Sequence, residues 1–154
     1  MKSLLSVAVL ILSVCGSQSV LAQEADMSLE QLQAKNAEKL SREKLEQLLP
    51  GAKVMRSTAG GAELSWTNNP DGKLLANDRQ TRSAGLGRRS GLGGSAPGTW
   101  RISEEGQYCI DIDWTTRDRE KWCRDIYRVN SHYYMIRKGK SDEEARAMLL
   151  KIKK

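Results

Sequence analysis

Residues 107–124, with the sequence QYCIDIDWTTRDREKWCR, decide the fold of this chain. Apolar and polar side chains alternate over residues 107–114, which is typical of a β-strand with one buried face. A polar segment follows at residues 115–120, and residues 121–128 read as a returning strand. The stretch therefore predicts an antiparallel pair of strands joined by a polar loop.

Cys109 and Cys123 lie on these two strands. In an oxidising compartment, two cysteines at this spacing are expected to form a disulfide. A zinc site is disfavoured because His132 is the only histidine in the chain, and no CxxC redox motif is present. A disulfide between directly opposed cysteines would set the whole register. The expected cross-strand pairs are then Ile110 with Trp122, Asp111 with Lys121, and Asp113 with Arg119.

The N-terminus has the parts of a secretory signal peptide. Lys2 supplies the positive charge, residues 4–14 form an uncharged apolar run, and Val20-Leu21-Ala22 offers a cleavage site. We therefore predict that residues 1–22 are removed and that the mature protein is periplasmic or secreted. An alternative remains, because residues 12–15 resemble a lipobox in which Cys15 would be acylated. No second long apolar run follows, so no transmembrane segment is predicted in the mature chain.

Residues 23–154 are enough for a single domain with a modest core. The full chain carries 25 Lys and Arg against 19 Asp and Glu, a net charge of +6. A basic protein favours anionic partners, among them lipid headgroups and acidic polymers. The charge therefore makes an anionic envelope component a candidate partner, although it does not identify one.

Two short helices are expected near the start of the mature domain, within residues 28–49. Ser28 and Gln31 have the spacing of a capping box, and Ser41 offers a second N-cap. Pro50 ends this region because it disfavours a helical conformation in the residue before it.

A further amphipathic helix is expected at the C-terminus. Ser141 and Glu144 again have the spacing of a capping box. The apolar residues that follow recur at the spacing of one helical face. They are Ala145, Met148, Leu149 and Ile152.

The segments between these ends read as β-strands separated by turns. Residues 52–57 and 63–68 flank Gly60-Gly61, and residues 69–72 (NPDG) form a strong turn before another strand. Residues 99–103 and 132–137 have the same character. The predicted class is α+β, with an antiparallel β-sheet or half-barrel, N-terminal helices and a C-terminal amphipathic helix.

Residues 77–98 are rich in Gly, Ser and Arg and poor in apolar side chains, which predicts a flexible loop within the domain. Its candidate anion-binding residues are Arg79, Arg82, Arg88 and Arg89, because a guanidinium binds phosphates and carboxylates through a planar fork. The alternative is a solvated linker with no ligand. The glycine spacing does not match a dinucleotide or phosphate loop.

The sequence offers no catalytic constellation. Asp111 and Asp113 alternate along one strand, which is typical of a solvated face and not of an acid/base pair across a cleft. His132 has no cysteine or serine nucleophile assigned to it, and no Gly-x-Ser-x-Gly motif is present. We therefore predict a protein that is not an enzyme and has no cofactor or metal site. The tryptophans are interpreted as core residues, with a stacking platform as the alternative.

Several short motifs follow one another in a recognisable order. They are residues 40–41 (LS), 45–51 (LEQLLPG), 69–72 (NPDG), 98–100 (GTW), 106–109 (GQYC) and 122–123 (WC). In this order the chain resembles, over about residues 30–137, a family of small exported proteobacterial proteins of unknown function. The resemblance implies a signal peptide and a β-rich, lipocalin-like half-barrel with a Gly-x-Trp and two-Cys pattern. It implies no catalytic residues.

These observations predict an exported, non-catalytic binding protein of the cell envelope, with an anionic partner as the first hypothesis. The alternative is a protein–protein interaction or inhibitory domain without a small ligand, in which the sheet is the contact surface.

Overall fold

The computed structural model describes residues 27–57, 63–79, 94–115, 117–137 and 145–154. The predicted signal peptide lies outside these residues, as do the predicted cap at Ser141 and Glu144 and the loop arginines Arg82, Arg88 and Arg89.

The described residues form eleven strands and two short helices. In chain order they are β1 (Met27–Ser28), α1 (Leu29–Ala34), β2 (Glu38–Lys39), α2 (Arg42–Leu48), β3 (Lys53–Ser57), β4 (Glu63–Asn68), β5 (Lys73–Arg79), β6 (Ser95–Ile102), β7 (Tyr108–Ile112), β8 (Glu120–Arg124), β9 (Ile126–Val129), β10 (His132–Arg137) and β11 (Arg146–Lys153). Neither helix in this part of the chain is long and apolar enough to cross a membrane.

The strands build one antiparallel sheet that curls into a half-barrel. Strands β3 to β8 pair with one another in chain order, and β9, β10 and β11 continue the pairing. Strand β11 also pairs with β3, while only Asp125 separates β8 from β9. The chain thus brings β9 next to β8 without pairing the two strands, and the curled sheet has a concave interior.

The predicted register of the 107–124 hairpin is confirmed. Cys109 lies opposite Cys123 and the two are bonded, with a Cα–Cα distance of 4.0 Å. Ile110 lies opposite Trp122, and Asp111 lies opposite Lys121. The predicted pair of Asp113 with Arg119 is not part of the ladder, which ends at Ile112 opposite Glu120. Arg119 instead turns back to Asp111, which accepts from its Nε and Nη2 at 2.6 and 2.8 Å.

The interpretation of the tryptophans as core residues is also confirmed. Trp66, Trp100 and Trp114 are buried, and Trp122 is partly buried against the same cluster. The ring of Tyr108 makes edge-to-face contacts with the rings of Trp100 and Trp122. Its hydroxyl group takes part in two hydrogen bonds. Trp66 Nε1 donates to its hydroxyl at 2.6 Å, and the hydroxyl donates to the side chain of a buried asparagine at 2.8 Å. Burial raises the pKa of the Tyr108 hydroxyl.

The predicted C-terminal helix is wrong, because residues 146–153 form strand β11. This strand pairs with β10 along one edge and with β1 and β3 along the other, and a side-chain cluster packs on each of its faces. Met148 packs on the interior of the half-barrel, whereas Ala147 and Leu149 pack on a second cluster that includes Leu32 of α1. Apolar residues on both faces of one strand produced the spacing that resembled a helical face.

The N-terminal region folds as two short helices with β2 between them. Ser28 caps α1, and the reciprocal bonds with Gln31 are both formed, at 3.0 and 3.1 Å. Ser41 caps α2, whose Leu45 is fully buried in the interior core. This second helix covers one end of the half-barrel.

The predicted loop at residues 77–98 is shorter than expected at both ends. Strand β5 continues to Arg79, and β6 begins at Ser95. Pairing of Asn77 with Ser95 extends the β5–β6 ladder into the Gly- and Ser-rich segment. Backbone hydrogen bonding to neighbouring strands therefore outweighs the low β-propensity of these residues.

Candidate anion-binding site

Of the four predicted loop arginines, only Arg79 belongs to the described residues. It ends β5, opposite Glu63 of β4, and its side chain is exposed on the convex face of the sheet. Arg79 also borders a shallow polar depression of about 390 Å³. The other residues lining this depression are Lys53, Ser65, Asn77, Asp78, Gly94 and Ser95.

A second group of polar side chains lies inside the half-barrel, at the end that we call the mouth. Strands β3, β5, β7 and β10 end there, because neighbouring antiparallel strands alternate in direction. The opposite end is closed by α2, where Asn68 Nδ2 donates to Leu49 O at 3.3 Å. The mouth is therefore the end of the interior opposite α2, where residues 58–62, 80–93, 116 and 138–144, which connect the strands, lie outside the described ranges.

Five side chains at the mouth form what we call the mouth cluster: Arg56, Asp78, Glu120, Trp122 and Arg124. All five are on interior-facing positions of their strands, at the same alternation as buried core residues. Arg56 Nη2 donates to Glu120 Oε1 at 2.5 Å, across the interior from β3 to β8. Trp122 Nε1 donates to the same oxygen at 2.9 Å. With side chains only 14% and 18% exposed, Arg56 and Glu120 form a buried ion pair.

Among the described residues, the hydrogen-bond acceptors of the Arg124 guanidinium are weak. Its Nη1 lies 3.5 Å from Met135 Sδ and 3.7 Å from Met148 Sδ. The guanidinium carbon lies 4.7 Å from the centre of the Trp122 ring, which is cation–π geometry. A thioether sulfur is a poor hydrogen-bond acceptor. A carboxylate or phosphate oxygen would therefore bind the Arg124 donors much more strongly than the two methionines do.

The charges around Arg124 are not balanced. Burial, and then the positive charge of Arg56, lower the pKa of Arg124 to about 10. Glu120 opposes this change, and Arg137 at the end of β10 adds to it. Arg124 remains protonated at neutral pH. Arg56 and Arg124 thus lie near the single carboxylate of Glu120, and the guanidinium of Arg137 adds a third positive charge.

Buried polar atoms without a hydrogen-bond partner also concentrate at the mouth. In the described part of the chain they are Arg56 Nε, Asp78 Oδ1 and Trp114 Nε1. Arg117 connects two of these residues, because its Nη1 donates to Asp78 Oδ2 at 2.9 Å and its guanidinium lies 3.7 Å from the centre of the Trp114 ring. Leaving such an atom without a partner costs about 1–3 kcal/mol. A polar ligand could satisfy all three.

Other polar groups singled out in the sequence do not join this cluster. Asp111 is on the convex face, where Arg119 and then Lys121 lower the pKa of its carboxyl. His132 begins β10 and is exposed. Within the described ranges, no three His, Cys, Asp or Glu side chains are grouped in a way that could hold a metal ion.

Sequence reasoning missed Arg56 and Arg124, although the signal for Arg124 was present. The predicted register places Trp122 on the core face, and a strand has a side-chain period of two. Glu120 and Arg124 must therefore share that face, which is an unusual place for charged side chains. In comparisons with protein-family models, curated proteins and solved structures, no match to this chain was found.

Proposed function

We propose that this chain is an exported, non-catalytic binding protein of the cell envelope and that it takes an anionic ligand at the mouth of the half-barrel. The observation that carries the proposal is the guanidinium of Arg124, which is repelled by Arg56 while the carboxylate of Glu120 forms its ion pair with Arg56. Residues Arg79, Arg82, Arg88 and Arg89 remain candidates for a supporting role around it.

The physical argument rests on the cost of burying charge. A buried charge is unfavourable unless it is paired and hydrogen-bonded. Arg124 is partly buried, is repelled by Arg56 and, within the part of the chain that the structure describes, contacts sulfur atoms and an aromatic ring. A bound anion would supply both the missing charge and strong acceptors. This arrangement lowers the stability of the free protein and favours the bound state.

The side chains at the mouth suit binding more than bond chemistry. The guanidinium of Arg124, with a pKa of about 10, stays charged near neutral pH, and Trp122 presents an aromatic ring. Export is supported by the signal-peptide pattern of residues 1–22. The Cys109–Cys123 disulfide is compatible with an oxidising compartment.

The proposal is tested by titrating the mature protein with phosphate, sulfate and acetate while following tryptophan fluorescence. Trp122 and Trp114 lie at the mouth, so binding there is expected to change their emission. The Arg124→Gln variant should lose at least tenfold in affinity, as expected when one charged hydrogen bond is removed. The matched control is Arg101→Gln, an exposed position on the convex face of β6. Affinity should also fall as salt rises.

A third variant tests whether the anion binds at the mouth or at the arginine-rich loop. It replaces Arg79, Arg82, Arg88 and Arg89 with Ser and leaves the mouth cluster intact. Loss of affinity in this variant, with wild-type behaviour of Arg124→Gln, would move the site to the loop. No binding of any anion by the wild-type protein would overturn the proposal and favour the protein–protein interaction domain.

A further inference from the structure

We infer that the ligand at the mouth carries a hydrogen-bond donor at a distance from its anionic group and that Asp78 recognises this donor. The inference rests on the proposed function and defines the ligand class as a short amino or hydroxy acid. It requires more than a simple oxyanion, because the mouth offers an acceptor as well as donors.

Asp78 has one oxygen that is committed and one that is not. Arg117 Nη1 donates to its Oδ2 at 2.9 Å. Its Oδ1 is buried and has no partner among the described residues. An ionised carboxylate only accepts hydrogen bonds. A ligand oxyanion would therefore be repelled by Asp78, whereas an ammonium or hydroxyl group would satisfy it.

The position of Asp78 separates it from the guanidiniums. In the sheet, Arg56 pairs with Leu64 of β4, and Leu64 pairs with Asp78 of β5. Arg56 and Asp78 are thus two strands apart in one row, which places their Cα atoms roughly 10 Å from each other. Both side chains are on the concave face. A ligand that uses both must therefore carry two polar groups separated by several bonds.

Trp114 adds a wall to the Asp78 end of the mouth. Arg117 covers its ring at 3.7 Å and is itself bound to Asp78, so these three residues form one contiguous surface. Leu64, which lies between Arg56 and Asp78 in their row, belongs to the apolar core cluster against which Trp122 and Met148 pack. The surface between the guanidiniums and Asp78 therefore suits a short apolar spacer.

Four probes of the same length test the inference: hexanoate, 6-aminohexanoate, 6-hydroxyhexanoate and hexylamine. Each is titrated into the mature protein by calorimetry. We expect 6-aminohexanoate to bind about tenfold more tightly than hexanoate, the value of one hydrogen bond to a charged group. The hydroxy acid should fall between them. Hexylamine, which lacks the carboxylate, should bind at least tenfold more weakly than 6-aminohexanoate.

The variant Asp78→Asn should bring hexanoate and 6-aminohexanoate to nearly equal affinity. Arg117→Gln removes the ion pair but keeps the carboxylate, so it should retain the preference. Asp71→Asn, in the turn between β4 and β5 at the end opposite the mouth, is the matched control. If Asp78→Asn does not fold, the probe series on the wild-type protein and on Arg117→Gln decides.

The inference is overturned if wild-type protein binds hexanoate and 6-aminohexanoate equally, or if Asp78→Asn keeps the preference. These outcomes are distinct from failure of the proposed function. If hexanoate binds without preference but in a manner that depends on Arg124, only the inference is wrong. If none of the carboxylates binds, both are wrong.

Discussion

Replacement of Arg124 by Met is expected to stabilise the folded protein while it weakens anion binding. Met is unbranched and flexible, so it can fill the space of the Arg124 stem and pack on Met135 and Met148. The substitution leaves the Arg56–Glu120 pair intact and removes the guanidinium that has no carboxylate of its own.

The magnitude follows from the pKa of Arg124, which burial and Arg56 lower to about 10. A fall of this size corresponds to about 3 kcal/mol, and solvent screening of a partly buried side chain reduces this to roughly 2 kcal/mol. Loss of the cation–π contact with Trp122 offsets about 1 kcal/mol. The net stabilisation is then about 1 kcal/mol, or a rise in Tm of about 4 °C.

The pH dependence gives a second readout of the same effect. The folded protein binds the Arg124 proton less tightly than the unfolded chain, so the cost is fully present below pH 10 and falls as the pH rises from about 10 towards the ordinary pKa of arginine. The stability difference between Arg124→Met and wild type should therefore be constant in the neutral range and shrink as the pH is raised beyond 10.

Urea unfolding at neutral pH measures the change, with Arg101→Met on the convex face of β6 as the control. The control should change the free energy of unfolding by less than about 0.5 kcal/mol. A loss of stability of 1 kcal/mol or more in Arg124→Met, with the control unchanged, would refute the reasoning, because it would mean that the buried guanidinium is well compensated in the free protein.

Three further sets of substitutions test contacts that stabilise the half-barrel. Replacing Cys109 and Cys123 with Ser should lower the free energy of unfolding by about 3 kcal/mol, because the disulfide no longer closes a loop of about 15 residues in the unfolded chain. An unchanged midpoint of urea unfolding would contradict this. Tyr108→Phe should lower the free energy of unfolding by about 1–3 kcal/mol, since Trp66 Nε1 and Asn68 Oδ1 both lose their bond to the hydroxyl group. Thermal unfolding measures this change, and a wild-type Tm would contradict it. Gly98→Ala should unfold the protein or lower its Tm sharply, because a Cβ at this position would lie 2.5 Å from Asp111 O. A soluble variant with the wild-type Tm would contradict the close approach of β6 and β7.

The parts of the fold that could be predicted are those in which two independent signals agree. The alternation of residues 107–114 and the position of the cysteines both specify the register, so Ile110 and Trp122 meet as expected. The expectation failed at Asp113 because the β7–β8 ladder ends at Ile112, and the long Arg119 side chain then reaches the nearer carboxylate of Asp111.

The C-terminal strand could not be predicted from its own residues. Its apolar pattern is satisfied equally by one face of a helix or by two faces of a central strand. The choice depends on partners that are distant in sequence: β3 pairs with Lys151, Ile152 and Lys153, and β1 pairs with Ala147. Tertiary pairing of this kind overrides a local periodicity.

Only part of the mouth cluster could be predicted from the sequence. The position of Arg124 follows from the hairpin register, because Tyr108 lies opposite it and faces the core. The position of Arg56 does not follow, since it meets Glu120 through the curl of the whole sheet, 64 positions away in sequence. Composition directed attention to the Gly- and Arg-rich loop, but charged side chains are common in loops and have little effect on stability there. A charged side chain on a core face is rarer and costs stability, so it is the stronger indication of a binding site.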